Sequence, residues 1–465
     1  MTSVASVADR ETARDNLPVV PPFAAHNFRA LVGDVSCFFI GMSFLDTATA
    51  LPAVVRLLGG DAAFLGLLLA IRQGGYFLPQ LFVAHHLQNA DRYKPFIVRV
   101  CFLGRIWLFG AALVVYFFGA TRPALALAAL GIAFTTSWVG DGSGSVPWTA
   151  FIGRAIPSAR RGRLFATTQV VGGISRFFVS AVVGALLGGR IAPFPTNAAL
   201  LVLGCAVFLG LSWVFLALLR EPPSNSATRP VVPVAGFGDY ARGLPARFRA
   251  RPDFARLALV QILASTAGAC APFYVGYVQS IPSAALPQTG LLAAIASPFV
   301  SHAPTSGGAL VGLFLAVQTA GLLLLAPVWG MITDRNGPRR ALLCILPVAL
   351  LSPVAVLCGG QFGGGLPLFL VAYLLFGGVQ DGWVAITNYL LEAVPEDEQP
   401  TYIGLMNAAS APALFLPFLL GLLVRNVSAP AALLVAVLLL AIGLYAAWGL
   451  PDTRAEEQKE NNAAR

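Results

Sequence analysis

Charge is scarce in this chain. Of its 465 residues only 11% are Asp, Glu, Lys or Arg, where soluble domains carry about 25%. Lysine is nearly missing: Lys94 and Lys459 are the only two, and arginine supplies the rest of the basic side chains. Long polar segments, which a soluble protein of this length needs to cover its surface, are also few. Cysteine is present (Cys37, Cys101, Cys205, Cys270, Cys344, Cys358) but never at the close paired spacing of a metal site. Each lies in or beside an apolar run and reads as a small apolar helix residue. No glycine-rich phosphate loop beside a strand and no nucleophile–base signature is found, which argues against an enzyme and gives no reason to expect a cofactor or a metal. No short apolar stretch ending in a small-residue cleavage site opens the chain, so no secretory leader is expected.

What is abundant is apolar sequence, 57% of the residues. It comes in continuous runs, and roughly 20 apolar residues of helix cross a bilayer. Only helices and closed barrels satisfy their backbone groups in lipid. A barrel strand alternates, whereas these runs do not, so helices are expected. Twelve spans are predicted near 31–57, 62–86, 95–118, 124–153, 164–188, 197–220, 254–281, 309–331, 340–360, 366–392, 401–424 and 430–450. The fold expected is therefore an all-α integral membrane protein of twelve transmembrane helices, which the polar segment 221–253 divides into two groups of six. Its parts are a polar arm (1–28), an N-terminal bundle (29–220), a central loop (221–253), a C-terminal bundle (254–450) and a tail (451–465).

The net charge of +9 does not imply nucleic acid, because the basic residues sit in short loops between apolar runs and not on one face of a soluble fold. With both termini on one side, 23 of the 30 Lys and Arg residues fall on that side, four (Arg56, Arg122, Arg190, Arg425) on the other, and Arg72, Arg105 and Arg176 lie within spans. Positive residues collect on the cytoplasmic side, so both termini are expected in the cytoplasm and the protein in the plasma or inner cell membrane. The halves also echo each other. Segments 154–165 and 392–403 follow the fourth and tenth spans, aligning Pro157 with Pro395 and Gln169 with Asn407. Repeated halves point to alternating access around a site near mid-membrane.

The loop after the eighth span reads Gly330-Met-Ile-Thr-Asp334-Arg335-Asn-Gly337-Pro338-Arg339-Arg340. This resembles the major facilitator superfamily signature G-x-x-x-D-[RK]-x-G-[RK]-[RK], with Pro338 inserted. The resemblance implies two six-helix bundles, cytoplasmic termini and solute transport. In it Gly330 would permit close helix contact and Gly337 a tight turn. Asp334 would accept charge-assisted hydrogen bonds from Arg339, Arg340 or a helix end, beside Arg335, as a conformational latch. The copy between spans two and three (Leu87 to Pro95, with Asp91 and Arg92) lacks the glycines. Span five has Gly172, Gly173, Gly184 and Gly188 but not the G-P-x-x-G-G pattern of drug–proton antiporters.

Ionisable groups inside spans are costly and face a cavity or a partner. Arg72, Arg105 and Arg176 fall near mid-span, Asp46 and Asp381 somewhat past it, and Asp141 nearer the cytoplasm; Asp34 and Glu392 are expected at interfaces. Polar residues form stripes at helical spacing: Gln73, Tyr76 and Gln80, with Arg72 beside them; Asp141, Ser145 and Trp148; Gln169, Gly173, Arg176 and Ser180; Asp381, Asn388 and Glu392, with Gln380 and Trp383 adjacent. The expected pathway residues are Asp46, Arg72, Gln73, Tyr76, Asp141, Trp148, Gln169, Arg176, Gln380, Asp381, Trp383 and Asn388. One of Asp46, Asp141 and Asp381 is expected to take up a proton, and Arg105 to pair structurally with an Asp. Arg72 and Arg176 either bind an anionic substrate or neutralise neighbouring acids. The function expected is a secondary active, proton-coupled transporter of a small organic solute, working as a monomer in the lipid bilayer without nucleic acid. A lipid or glycolipid flippase and a non-transporting solute sensor are the alternatives.

Overall fold

A computed structural model describes residues 23–87, 92–222, 251–281, 307–361, 365–394 and 399–453. The expected arm, central loop and tail, Asp91 of the degraded motif and the segment 282–306 fall largely or wholly outside these residues. Everything regular among the described residues is helical. Eleven helical stretches are long and apolar enough to cross a membrane. The first expected span is the exception: α1 runs Ala24–Phe44 and then Ala50–Leu57, parted by an irregular turn around Asp46. Counting α1 as one crossing element gives the expected twelve.

The others follow in order: α2 (Ala62–His86), α3 (Lys94–Arg105 and Trp107–Phe118), α4 (Pro123–Ala155), α5 (Ser158–Leu187) and α6 (Thr196–Leu218). The second half has α7 (Pro252–Ala264, Thr266–Cys270, Pro272–Gln279), α8 (Gly307–Asn336) and α9 (Pro338–Gln361). It ends with α10 (Gly365–Val379, Trp383–Ala393), α11 (Gln399–Ala409, a 3₁₀ turn Ala411–Phe415, Leu416–Asn426) and α12 (Ala429–Trp448).

Local chemistry sets the ends. Asp61 caps α2 by accepting from the Phe64 N–H at 2.7 Å, and Ser428 caps α12 by accepting from Ala431. Proline occupies the first turn of α4, of two α7 segments and of α12, where its missing N–H costs nothing. Between α8 and α9 stands Gly337 alone, at φ 87°. Only glycine takes this left-handed backbone cheaply, and Pro338 then opens the next helix. The inserted proline of the motif is thus a helix start.

The two bundles meet at the end away from the termini. There Gly184 of α5 and Gly312 of α8 touch: a Cβ on Gly312 would lie 2.5 Å from the Gly184 Cα. Gly66 of α2 abuts the Pro417 carbonyl of α11, and Gly421 abuts Ala62. Arg56 donates to the Gly276 carbonyl at 3.0 Å and to Gln279 at 3.3 Å, and Arg425 pairs with Asp61 at 3.3 Å. One buried apolar core, including Leu51, Val54, Val183, Val275, Phe314 and Leu420, runs through both bundles at this end.

Toward the termini the core splits. Ile97, Phe151 and Leu216 belong to a cluster of the N-terminal bundle, and Phe254, Leu342, Tyr389 and Met406 to one of the C-terminal bundle. On α5 the glycines 184, 173 and 162 share one face, and on α8 so do Gly312, Leu323 and Gly330, given about 100° per residue. The outer pair touches and Gly173 meets Leu323, but among the described residues a Cβ on Gly162 or Gly330 would meet nothing within 4 Å. The bundles therefore enclose a cleft that opens at the terminal end. The expectation that Gly330 makes a close helix contact is not met, because the helices diverge before reaching it.

Candidate functional site

The cleft ends at a group of charged and amide side chains contributed by both bundles. Asp46 lies in the break of α1 and is 8% exposed. Its Oδ1 accepts from the Ala48 N–H (3.0 Å) and the Thr49 hydroxyl (2.9 Å), a local turn that stabilises the break. Its Oδ2 faces Arg176 of α5 at 3.5 Å and Gln318 of α8 at 3.4 Å. Both contacts are long for charge-assisted bonds, which favour 2.7–2.9 Å. Asp46 thus joins the two bundles, but lightly. The carboxyl of Asp381, in the Gln380–Gly382 break of α10, is within electrostatic reach of Arg176 from the other side. Gln318 is fully buried, and its Oε1 has no hydrogen-bond partner among the described residues.

Arg72 approaches the same group from α2. On that helix Gly66 faces α11 and Gly75 faces Val139 of α4. At about 100° per residue, Arg72, Gln73, Tyr76 and Gln80 fill the arc between those two contacts, with the buried Leu65 and Leu69. The opposite arc is apolar and exposed: Leu67, Ile71, Leu78 and Phe82. The polar arc faces the protein interior and the cleft, and the apolar arc suits lipid. The Arg72 guanidinium lies 4.3 Å from the Trp138 ring centroid, which Tyr76 meets edge-on. The charges of Arg72 and Asp46 are near enough to interact.

Asp141 and Trp148 are engaged elsewhere. Gly104 and Gly140 bring α3 and α4 into backbone contact, with Cα 3.0 Å from the position of a Cβ, and the neighbouring residues pair. Arg105 Nε and Nη2 both donate to Asp141 Oδ1 at 2.9 Å. Its Nη1 donates to the Leu209 carbonyl and to Ser212. Ser212 bonds Asp34 Oδ1 at 2.6 Å, and the Trp148 indole donates to Oδ2 at 3.1 Å. Asp34, expected at an interface, is instead 5% exposed inside the N-terminal bundle. The helix begins at Ala24, about two turns earlier than the apolar pattern indicates, so Asp34 falls well inside it. Glu392, also expected at an interface, accepts from Thr453 near the terminal end.

The remaining expected residues line the opening or its approach. Gln169 and Trp383 are exposed, the latter at 63%, while Gln73, Gln380 and Asn388 are partly buried. In the signature loop Asp334, Arg335 and Arg340 are exposed. Arg339 donates to the Trp448 carbonyl at 2.9 Å, and Arg256 donates to the adjacent Gly449 carbonyl. Two arginines thus hold the negative end of α12, where a cation is favourable. Three participants escaped the sequence reading: Gln318, Ser212 and Trp138. Gln318 had a signal, as an isolated amide in the apolar run of α8; the other two are ordinary span residues until their partners are known.

Two bundles of six spans, with broken helices at their centre and charged groups shared between them, form an architecture that alternating-access carriers also use. The sequence model described as Major Facilitator Superfamily matches residues 283–465. No curated protein sequence matches the chain. Among solved structures, the nucleoside transporter NupG is 13% identical with a TM-score of 0.65, over 91% of this chain and 99% of that one. A POT family transporter in complex with 5-aminolevulinic acid is 13% identical with a TM-score of 0.63, over 92% and 95%. A bacterial homologue of the human lysosomal transporter Spinster, inward-facing and unoccupied, is 13% identical with a TM-score of 0.59, over 93% and 97%. The protein has the Major Facilitator Superfamily transporter fold, and its second half carries that superfamily's sequence pattern.

Proposed function

We propose that the protein is a secondary active transporter that carries a small organic solute by alternating access, coupled to protons. The observation that carries this reading is the position of Asp46. It sits in a helix break at the apex of the cleft, between an arginine of its own bundle and a glutamine of the other. A carboxylate so placed changes its surroundings whenever the bundles rock. Movement of Arg176 or Gln318 would remove the charge or the amide that its Oδ2 now faces. Asp381, beside the same arginine, is the second candidate carrier. Asp141 suits that role poorly, since two short bonds to Arg105 hold it within one bundle.

Given the arginine asymmetry, the terminal end is cytoplasmic, and the arrangement described corresponds to the state open to the cytoplasm. The neighbours that transport nucleosides, peptides or other solutes support a solute cargo without choosing one. The test is uptake into proteoliposomes under an imposed pH gradient, after a thermal-shift screen has found a binding solute. Wild-type protein should accumulate the solute only with the gradient. Asp46→Asn and Asp381→Asn should exchange solute across equal concentrations yet lose gradient-driven accumulation. Full accumulation in both variants would remove proton coupling through these residues, and absence of counterflow in the wild type would favour a sensor.

A further inference from the structure

We propose that the solute carries an anionic group, a carboxylate or phosphate, and that Arg72 holds it on the Trp138 ring. This rests on the transporter reading and names the class of its cargo.

Arg72 differs from the other span arginines in what surrounds it. Arg105 has all its hydrogen-bonding nitrogens directed at acceptors: Asp141, Leu209 and Ser212. Arg176 has Asp46 in contact and Asp381 in reach. The Arg72 guanidinium makes no hydrogen bond or ion pair among the described residues, and its Nε is buried without a partner. One flat face is covered by Trp138. An aromatic face attracts the cation but fills none of the donors on its edge. Those donors form a planar fork that matches a carboxylate or phosphate with two parallel bonds. A buried charged donor left unfilled is costly, so a ligand that fills it gains more than one meeting an already satisfied group.

The charge balance gives the second support. Around the apex stand two acids, Asp46 and Asp381, and two bases, Arg72 and Arg176. With both acids ionised the group is neutral and has no excess attraction for an anion. Protonation of Asp46 leaves a single positive charge: Arg176 loses its ion pair and Arg72 the nearest acid that acts on it. The proton and the anion then load together, and the loaded apex is again neutral. That suits a cargo that must cross a low-dielectric interior with its site closed around it. Gln73, Gln80 and Tyr76, on the same arc of α2, supply neutral polar contacts for the remainder of the solute.

The experiment uses the purified full-length chain and matched probes: acetate, lactate and benzoate against their primary amides, and inorganic and methyl phosphate against methanol. Thermal stabilisation is read in mildly acidic and mildly alkaline buffer. At least one anion should stabilise the protein, more strongly in acid, and its neutral counterpart should not. The carboxylate and phosphate arms decide which group is preferred. Arg72→Gln should weaken binding by at least about tenfold, the effect of losing hydrogen bonds to a charged group. Arg72→Lys, which keeps charge but not the fork, should bind with intermediate affinity and guards against a folding defect in the first variant. Arg99→Gln, altered at an exposed arginine of α3, should bind as the wild type does. Stabilisation by amides alone, by no anion in the panel, or equally in Arg72→Gln would overturn the assignment. Anion binding without uptake would leave it standing and sink the transporter reading, while uptake of a purely neutral solute would do the reverse.

Discussion

The interiors of the two bundles are built from different chemistry. The N-terminal bundle is tied by charge: Arg105 joins α3 to α4 through Asp141 and to α6 through Ser212, and Ser212 and Trp148 converge on Asp34 of α1. The C-terminal bundle is tied by aromatic rings and neutral hydrogen bonds. Tyr274, fully buried, bonds Ser352 (3.2 Å) and Cys270 (3.3 Å), and Ser352 donates to the Ala372 carbonyl. Tyr373 stacks on Phe314 with centroids 4.4 Å apart and meets Tyr274 edge-on. An ionic network fixes helix register strictly but is costly to break, whereas neutral bonds and stacked rings tolerate adjustment. The difference teaches that equal architecture does not mean equal stiffness: the N-terminal bundle is suited to hold the charged half of the site still.

The sharpest way to break this contrast is Arg105→Ala. It strands Asp141, and with it Asp34, in a buried place without a cation. Removing one partner of a buried pair costs about 3–5 kcal/mol, so thermal unfolding in detergent should show a large drop or no folded protein. Replacing both charges, Arg105→Met with Asp141→Leu, should recover most of the loss, since an apolar pair of similar volume is often neutral. If the double variant is as poor as the single one, the network serves something other than packing.

A second, smaller effect concerns the seam between the bundles. Gly312→Leu places a side chain where the Gly184 Cα already stands, and backbone cannot yield as a side chain does. Overpacking costs about 1–3 kcal/mol. Here the strain falls on one conformation, so it should shift the population toward the state open at the far end. Spin labels on α5 and α8 near that end should report a longer distance. Gly330→Ala, which meets nothing within 4 Å among the described residues, should leave both distance and stability unchanged.

Much of this fold was legible because lipid allows so few solutions. Apolar runs located the spans, and arginine placement set the pairing of ends. Gly337 followed by Pro338 announced the turn between α8 and α9. The signature gave the superfamily fold. What stayed hidden depends on distant partners. Asp34 reads as interfacial only while α1 is taken to start at residue 31; the amphipathic turn before it, with Asn27 bonded to the backbone of Arg220, extends the helix. Arg339 reads as a partner of Asp334, and nothing local announces that it also donates to the Trp448 carbonyl, 109 positions away at the end of α12. Gln318 was visible as an oddity, but no local pattern says that it meets Asp46 in the other bundle. The stripe on α2 is visible as a shared face from its spacing alone, while the choice between cleft and lipid needed the glycine contacts on either side.

The mildest test addresses the C-terminal bundle on its own terms. Tyr274→Phe deletes a hydroxyl that bonds both Ser352 and Cys270, and should cost about 1 kcal/mol, the usual net worth of a neutral hydrogen bond. Ser352→Ala should cost a similar amount or slightly more, because it also leaves the Ala372 carbonyl without that donor. Tyr373→Phe removes a buried hydroxyl with no partner among the described residues and retains the ring that stacks on Phe314, so it should be neutral or slightly stabilising. All three are read as thermal midpoints of the purified protein. The order matters more than the sizes: if Tyr373→Phe destabilises more than Tyr274→Phe, that hydroxyl is engaged in another arrangement of the helices. The C-terminal bundle would then rearrange internally where the charged bundle moves as a rigid body.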